Sequence, residues 1–187
     1  KGFTLLELLI VVGILAILST TMVLVINPAE MLRRARDSQR ITDLNALKTA
    51  IALYATEVSD LNIGSDTETY SRVLGVSCAG RTVSATTSQA IDGSGWIPIN
   101  FTQISGGSPI SNLPKDPNES DVDDDPSLYY VYLTNTADNT FELIANMEST
   151  SYAGTESGDG GLIDTLFETG TKIGILSSTN GTCFPNP

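Results

Sequence analysis

Residues 3–26 form an apolar run in which Glu7 is the only ionisable side chain. As a helix the run is roughly 36 Å long at about 1.5 Å per residue, enough to cross the hydrocarbon core of a bilayer. No polar stripe divides it, so it cannot lie half-buried on a soluble core. It needs lipid, or copies of itself, around its whole circumference. A carboxylate in such a helix is costly and marks function. On a membrane-inserted monomer Glu7 is expected to have only water or lipid head groups to satisfy it.

Asn27-Pro28 ends the run. Proline lacks a backbone donor and disfavours helical geometry in the residue before it, so a kink at Pro28 is expected, with Gly13 a second weak point. Helical spacing then resumes through Ile41, Leu44, Leu47, Ile51, Tyr54 and Val58, one apolar face with Asp37, Asp43 and Lys48 off it. The pattern predicts one bent helix over about residues 4–57, although periodicity alone also permits two. From Ser59 onward the chain turns to Gly, Ser, Thr, Asn and Asp. Residues 82–88 read as part of a long loop, with a short helix about residues 70–74. Residues 96–101 predict an edge strand because of Pro98. Residues 128–133 and 140–146 predict a hairpin through Asn135-Thr136-Ala137-Asp138-Asn139, and residues 172–176 a last strand.

The expected fold class is therefore α+β: a long N-terminal helix, apolar in its first half and packed on a head by its second, with a small antiparallel sheet and long loops. The expected division is residues 1–2, 3–27, 28–58 and a head of 59–187. The net charge is −12, and beyond Lys48 eighteen acidic residues face four basic ones, a balance of −14. Such a head repels phosphate backbones, so direct nucleic-acid binding is not expected. The chain has no histidine and shows no phosphate loop, nucleophile elbow or paired-cysteine metal motif, which argues against an enzyme.

Gly2-Phe3-Thr4-Leu5-Leu6-Glu7 resembles the processing site of class III signal peptides, found in type IV pilins and the pseudopilins of type II secretion. The resemblance implies cleavage after Gly2 by a prepilin peptidase and N-methylation of Phe3, with Lys1-Gly2 the end of a short basic leader. It implies that the Glu7 carboxylate of one subunit meets the Phe3 amine of a neighbour, since pairing removes much of the cost of burying either charge alone. It also implies a precursor in the cytoplasmic membrane, an assembly platform, and a helical filament of identical subunits. Arg33, Arg34, Arg36 and Arg40 follow the apolar run, and such a cluster ordinarily marks the cytoplasmic side. The resemblance reverses that topology, and places these arginines at the filament core's rim, facing acidic heads.

Leu113-Pro114-Lys115-Asp116-Pro117, the Tyr130-x-Tyr132 run and Phe141-Glu142-Leu143 resemble the major pseudopilin and related minimal pilins, although Asn118 and Glu119 stand where that family commonly has an aromatic residue and glycine. Five carboxylates crowd residues 119–125. Oxygen-rich loops suit calcium, and the major pseudopilin holds calcium in a loop between its sheet segments, so Asp116, Asp121, Asp123 and Asp125 are candidate ligands beside the alternative of a solvated acidic loop. Cys78 and Cys183 in an exported head favour a disulfide over two free thiols. The readings that follow are a major pilin of an extracellular pilus, a major pseudopilin of a secretion system, and a monomeric membrane-anchored binding domain.

Overall fold

The computed structural model describes residues 2–73, 77–78, 80–119, 127–176 and 183–184, with the side chains of residues 23–26 left out. Helix α1 spans Leu5–Ile26 and α2 spans Pro28–Glu57. Between them Asn27 takes a left-handed conformation, φ 43° and ψ 76°, while its side chain accepts from the Glu30 amide and Pro28 starts α2. Asparagine tolerates that backbone region and proline suits the first helical position, so two adjacent residues end one helix and start the next.

Along α1 the large apolar side chains stay exposed, from Leu5 at 82 % to Met22 at 64 %. Helix α2 behaves differently. Leu44, Leu47, Ala50, Ile51 and Tyr54 are buried, while Ile41 and Val58 pack at the margin of the same core. Asp37 is also fully buried rather than off the face, because it pairs with the buried Arg40 on that face.

Five strands form one sheet in the order β2-β1-β3-β4-β5: β1 Glu68–Ser71, β2 Thr82–Ala85, β3 Tyr130–Asn135, β4 Thr140–Ala145 and β5 Phe167–Gly170. The layout is α+β as expected, but the sheet is mixed, since β2 runs parallel to β1 while the other pairs are antiparallel. The β3–β4 hairpin lies where the sequence predicts it, with Asn139 at φ 52° closing the turn. Five segments differ, one of them β5, where the sequence predicts no strand. Residues 68–71 are a strand rather than the start of a helix, and 82–85 a strand rather than loop. Residues 96–101 are mostly buried but form no strand, held by a bridge between Asp92 and Asn100, by the Trp96 amide on the Ser88 carbonyl and by the Phe101 amide on the Ile91 carbonyl. Residues 172–176 turn at Gly174, φ 92°, and the Gly174 and Leu176 amides donate to the Glu142 carboxylate instead of a strand neighbour.

Period-two alternation assigns the two sheet faces. Tyr130, Tyr132, Phe141, Leu143, Ala145 and Phe167 meet α2 and the buried Trp96–Ile104 region of the loop. Val131, Leu133 and Ile144 point the other way, under Cys78, Leu166, Leu176, Cys183 and Phe184. The sheet is thus covered by α2 on one face and by the tail on the other.

Candidate functional site

The N-terminal site is built on the first turn of α1. Thr4 is its N-cap, and Thr4 with Glu7 forms a capping box. The Thr4 amide donates to Glu7 Oε2 at 2.8 Å, the Thr4 hydroxyl to the same oxygen at 2.7 Å, and the Glu7 amide to Thr4 Oγ1 at 3.3 Å. Glu7 therefore has polar partners within its own chain, contrary to the expectation of water or head groups alone. The signal was legible as Thr-x-x-Glu before an apolar run. A carboxylate here also meets the positive end of the helix dipole. Gly2 has no heavy atom near the position a Cβ would take, and Phe3 is 85 % exposed. Gly2, Phe3 and Glu7 thus share one accessible end of the helix.

What the arrangement can do follows from its surroundings. Residues 5–22 make a helix long and apolar enough to cross a membrane, with none of that stretch covered by the rest of the chain. Burying such side chains is worth about 25 cal/mol per Å² of apolar area. Lipid can cover such a surface, and so can packed copies of the same helix.

A second set of charges joins α2 to the sheet-bearing part. Arg40 is fully buried and donates to Asp116 through Nε at 2.6 Å and Nη2 at 2.7 Å, to Asp37 through Nη1 at 2.6 Å, and to Glu148 through Nη2 at 2.6 Å. Burial by itself would depress Arg40, but Asp116 and Glu148 reverse that and hold its pKa above the usual value. Asp37 also accepts the amides of Glu148 and Ser149, and Arg36 donates to Glu148. Glu30 accepts from the Ser149 hydroxyl, which holds its pKa below the usual carboxylate range despite some desolvation. Of the four arginines expected at a rim, Arg40 and Arg36 thus face carboxylates of their own chain. Arg33 and Arg34 remain more than half exposed, 4.0 and 3.7 Å from Glu30. Asp37 is a local partner three residues before Arg40, but Asp116 and Glu148 are 76 and 108 residues away in the chain, so the spacing gave no sign of them.

Asp116, offered as a calcium ligand, spends both carboxylate oxygens on Arg40 and takes the Asn118 amide as well. Its charge is already paired with a buried cation of the same chain. Asp121, Asp123 and Asp125 lie outside the described residues. Among the described residues no cluster of three or more acidic, histidine or cysteine side chains is arranged to hold a metal. Cys78 and Cys183 form a disulfide spanning 105 residues, which fixes the tail against the sheet face opposite α2. Phe184 stacks on Tyr129 beside it, with ring centroids 4.6 Å apart.

Residues 1–23 match the family model of the prokaryotic N-terminal methylation motif. No curated protein and no solved structure matches the chain.

Proposed function

We propose that this chain, whose methylation motif carries the hallmark of type IV pilins and pseudopilins and supports a precursor of that type, is the major structural subunit of an extracellular type IV pilus. The motif implies processing by a prepilin peptidase and assembly into a filament, and with the apolar helix it fits a membrane-anchored precursor. One observation carries the finer reading: α1 is a complete apolar helix, uncovered by its own chain, that keeps a carboxylate at its head. In a plain anchor that carboxylate would only cap its own helix. In a repeating subunit it has a second use, because the amine freed at Phe3 of one copy can replace Thr4 as the partner of Glu7 in the next.

In this mechanism the peptidase removes the leader after Gly2 and exposes the Phe3 amine. The platform lifts the subunit from the bilayer, and α1 exchanges lipid for neighbouring α1 helices. The Glu7 and Phe3 charges cancel and set the stagger between subunits, while the acidic head stays in water. The work is mechanical, with binding energy spread over many helix contacts.

A second reading, a major pseudopilin, is supported by the resemblance of Leu113-Pro114-Lys115-Asp116-Pro117 and of the Tyr130-x-Tyr132 strand. The two are separated by fibre length and location. Long fibres at the surface of cells producing the chain at its native level support the pilus. Short periplasmic fibres, with secretion lost on deletion, would overturn it.

A further inference from the structure

The sheet face turned away from α2 buries two carboxyl groups side by side. Glu142 on β4 and Glu168 on β5 are 0 and 1 % exposed. Their register is diagonal, with Glu142 opposite Gly170 and Glu168 opposite Ile144, the offset at which long side chains on one face reach each other. The Glu142 oxygens accept the amides of Gly174 and Leu176, each at 2.7 Å. Glu168 Oε2 accepts the Ile163 amide at 3.1 Å, while Glu168 Oε1 is buried without a partner.

Two adjacent buried carboxylates cannot both be ionised without a compensating cation. Among the described residues no cation forms an ion pair with either of them. Asp159, on the loop before β5, is itself acidic and accepts the amides of Glu168 and Gly161. Arg81 is within electrostatic reach of Glu142, but its guanidinium donates to the carbonyls of Thr134 and Glu68. From β3 the same face presents Val131 and Leu133. A metal ion is disfavoured in turn, because both Glu142 oxygens already face the positive ends of N–H bonds. Nor is there room to move apart: a Cβ on Gly161 would stand 1.8 Å from Glu168 Oε2, so the loop backbone lies directly on that carboxylate.

We propose that Glu142 and Glu168 hold one proton between them, and that this shared proton clamps the tail and the loop before β5 onto the sheet, releasing both when it is lost at alkaline pH. The proton supplies the missing hydrogen bond to Glu168 Oε1 and removes one of two buried charges. Through its two amide bonds Glu142 holds residues 174–176, and through the Ile163 amide Glu168 holds the loop. The α2 face of the sheet contains neither carboxyl and is unaffected.

The direction of the pH effect follows from the proton count. Burial, opposed by the two amides and reinforced by Glu168, pushes Glu142 up to about 8. In the folded chain Glu142 therefore keeps a proton that an unfolded carboxyl gives up near pH 4.5. The contribution is complete below about pH 4.5 and is lost as pH rises through about 8.

The test is hydrogen exchange of the full chain in detergent micelles at pH 6 and pH 9, corrected for intrinsic exchange. Peptides covering 159–176 are compared with those covering 130–135. The clamp predicts that the Gly174 and Leu176 amides lose about tenfold in protection at pH 9, about one unit above the titration of Glu142, while the β3 amides keep theirs. Glu168→Gln places a permanent amide donor where the proton was, and its 174–176 segment is predicted to keep its pH 6 protection at pH 9. Unchanged protection in the wild-type chain overturns the proposal, and so does an equal loss in Glu168→Gln. Calcium restoring the pH 9 protection of the wild-type chain also overturns it, in favour of a cation between the carboxylates. If Glu168→Gln does not fold, the two wild-type measurements still decide.

Discussion

Replacing Arg40 with methionine removes the cation at the centre of the α2 network while keeping most of its volume. Asp116 then loses two hydrogen bonds and its charged partner and retains the Asn118 amide. Asp37 keeps two amide donors, and Glu148 keeps Arg36. The loss therefore concentrates on one fully buried carboxylate. Removing one partner from a buried ion pair costs about 3–5 kcal/mol, because the remaining charge is left uncompensated. For a folded part of this size that corresponds to a fall in Tm of roughly 10–20 °C. Arg36→Met supplies the comparison, since Arg36 is about one-third exposed and its partner Glu148 keeps Arg40. Its cost is expected to stay near 1 kcal/mol or below. Both variants are to be melted as full chains in detergent, followed by near-ultraviolet circular dichroism from Trp96 and the buried tyrosines. An Arg40→Met chain melting within about 3 °C of wild type, or no lower than Arg36→Met, would refute the view that Arg40 fastens α2 to the rest of the head.

Three further outcomes follow from the same contacts. Cys183→Ser opens the 105-residue link and is expected to cost about 4–5 kcal/mol in the chain-entropy picture; a reducing agent should lower the melting temperature of wild type and leave the variant unmoved. Leu47→Ala empties a fully buried site between α2 and the sheet and is expected to cost about 2–5 kcal/mol by denaturant titration. Glu7→Ala leaves the head's melting unchanged but sharply reduces filament yield, counted by electron microscopy of sheared material; normal yield and normal stagger would remove Glu7 from the assembly mechanism.

The helical half and the central hairpin were legible in the sequence. The spacing from Ile41 to Val58 names the buried face of α2, and residues 128–133 and 140–146 are continuous runs rich in aromatic and aliphatic residues on either side of a turn, as suits strands covered on both faces. Strands β1 and β2 were not legible, for a physical reason. Glu68–Ser71 and Thr82–Ala85 are four residues each, too short for periodicity, and polar Thr69 and Ser71 are buried by the sheet pairing itself. Residues 172–176 look like a strand by composition, yet two of their amides serve a carboxylate 32 and 34 residues earlier in the chain. The same holds for the charges. Glu7 and its Thr4 partner are three residues apart and could be read locally. Arg40 meets Asp116 and Glu148 only after 76 and 108 residues of intervening chain have folded, and no local pattern reports such a meeting.

The most direct test of the filament account is electron microscopy of fibres sheared from cells producing this chain, combined with mass spectrometry of the subunit's N-terminus. The account predicts long fibres built from a subunit that begins at N-methylated Phe3. A membrane-bound monomer that still carries Gly2, with no fibres, would contradict it.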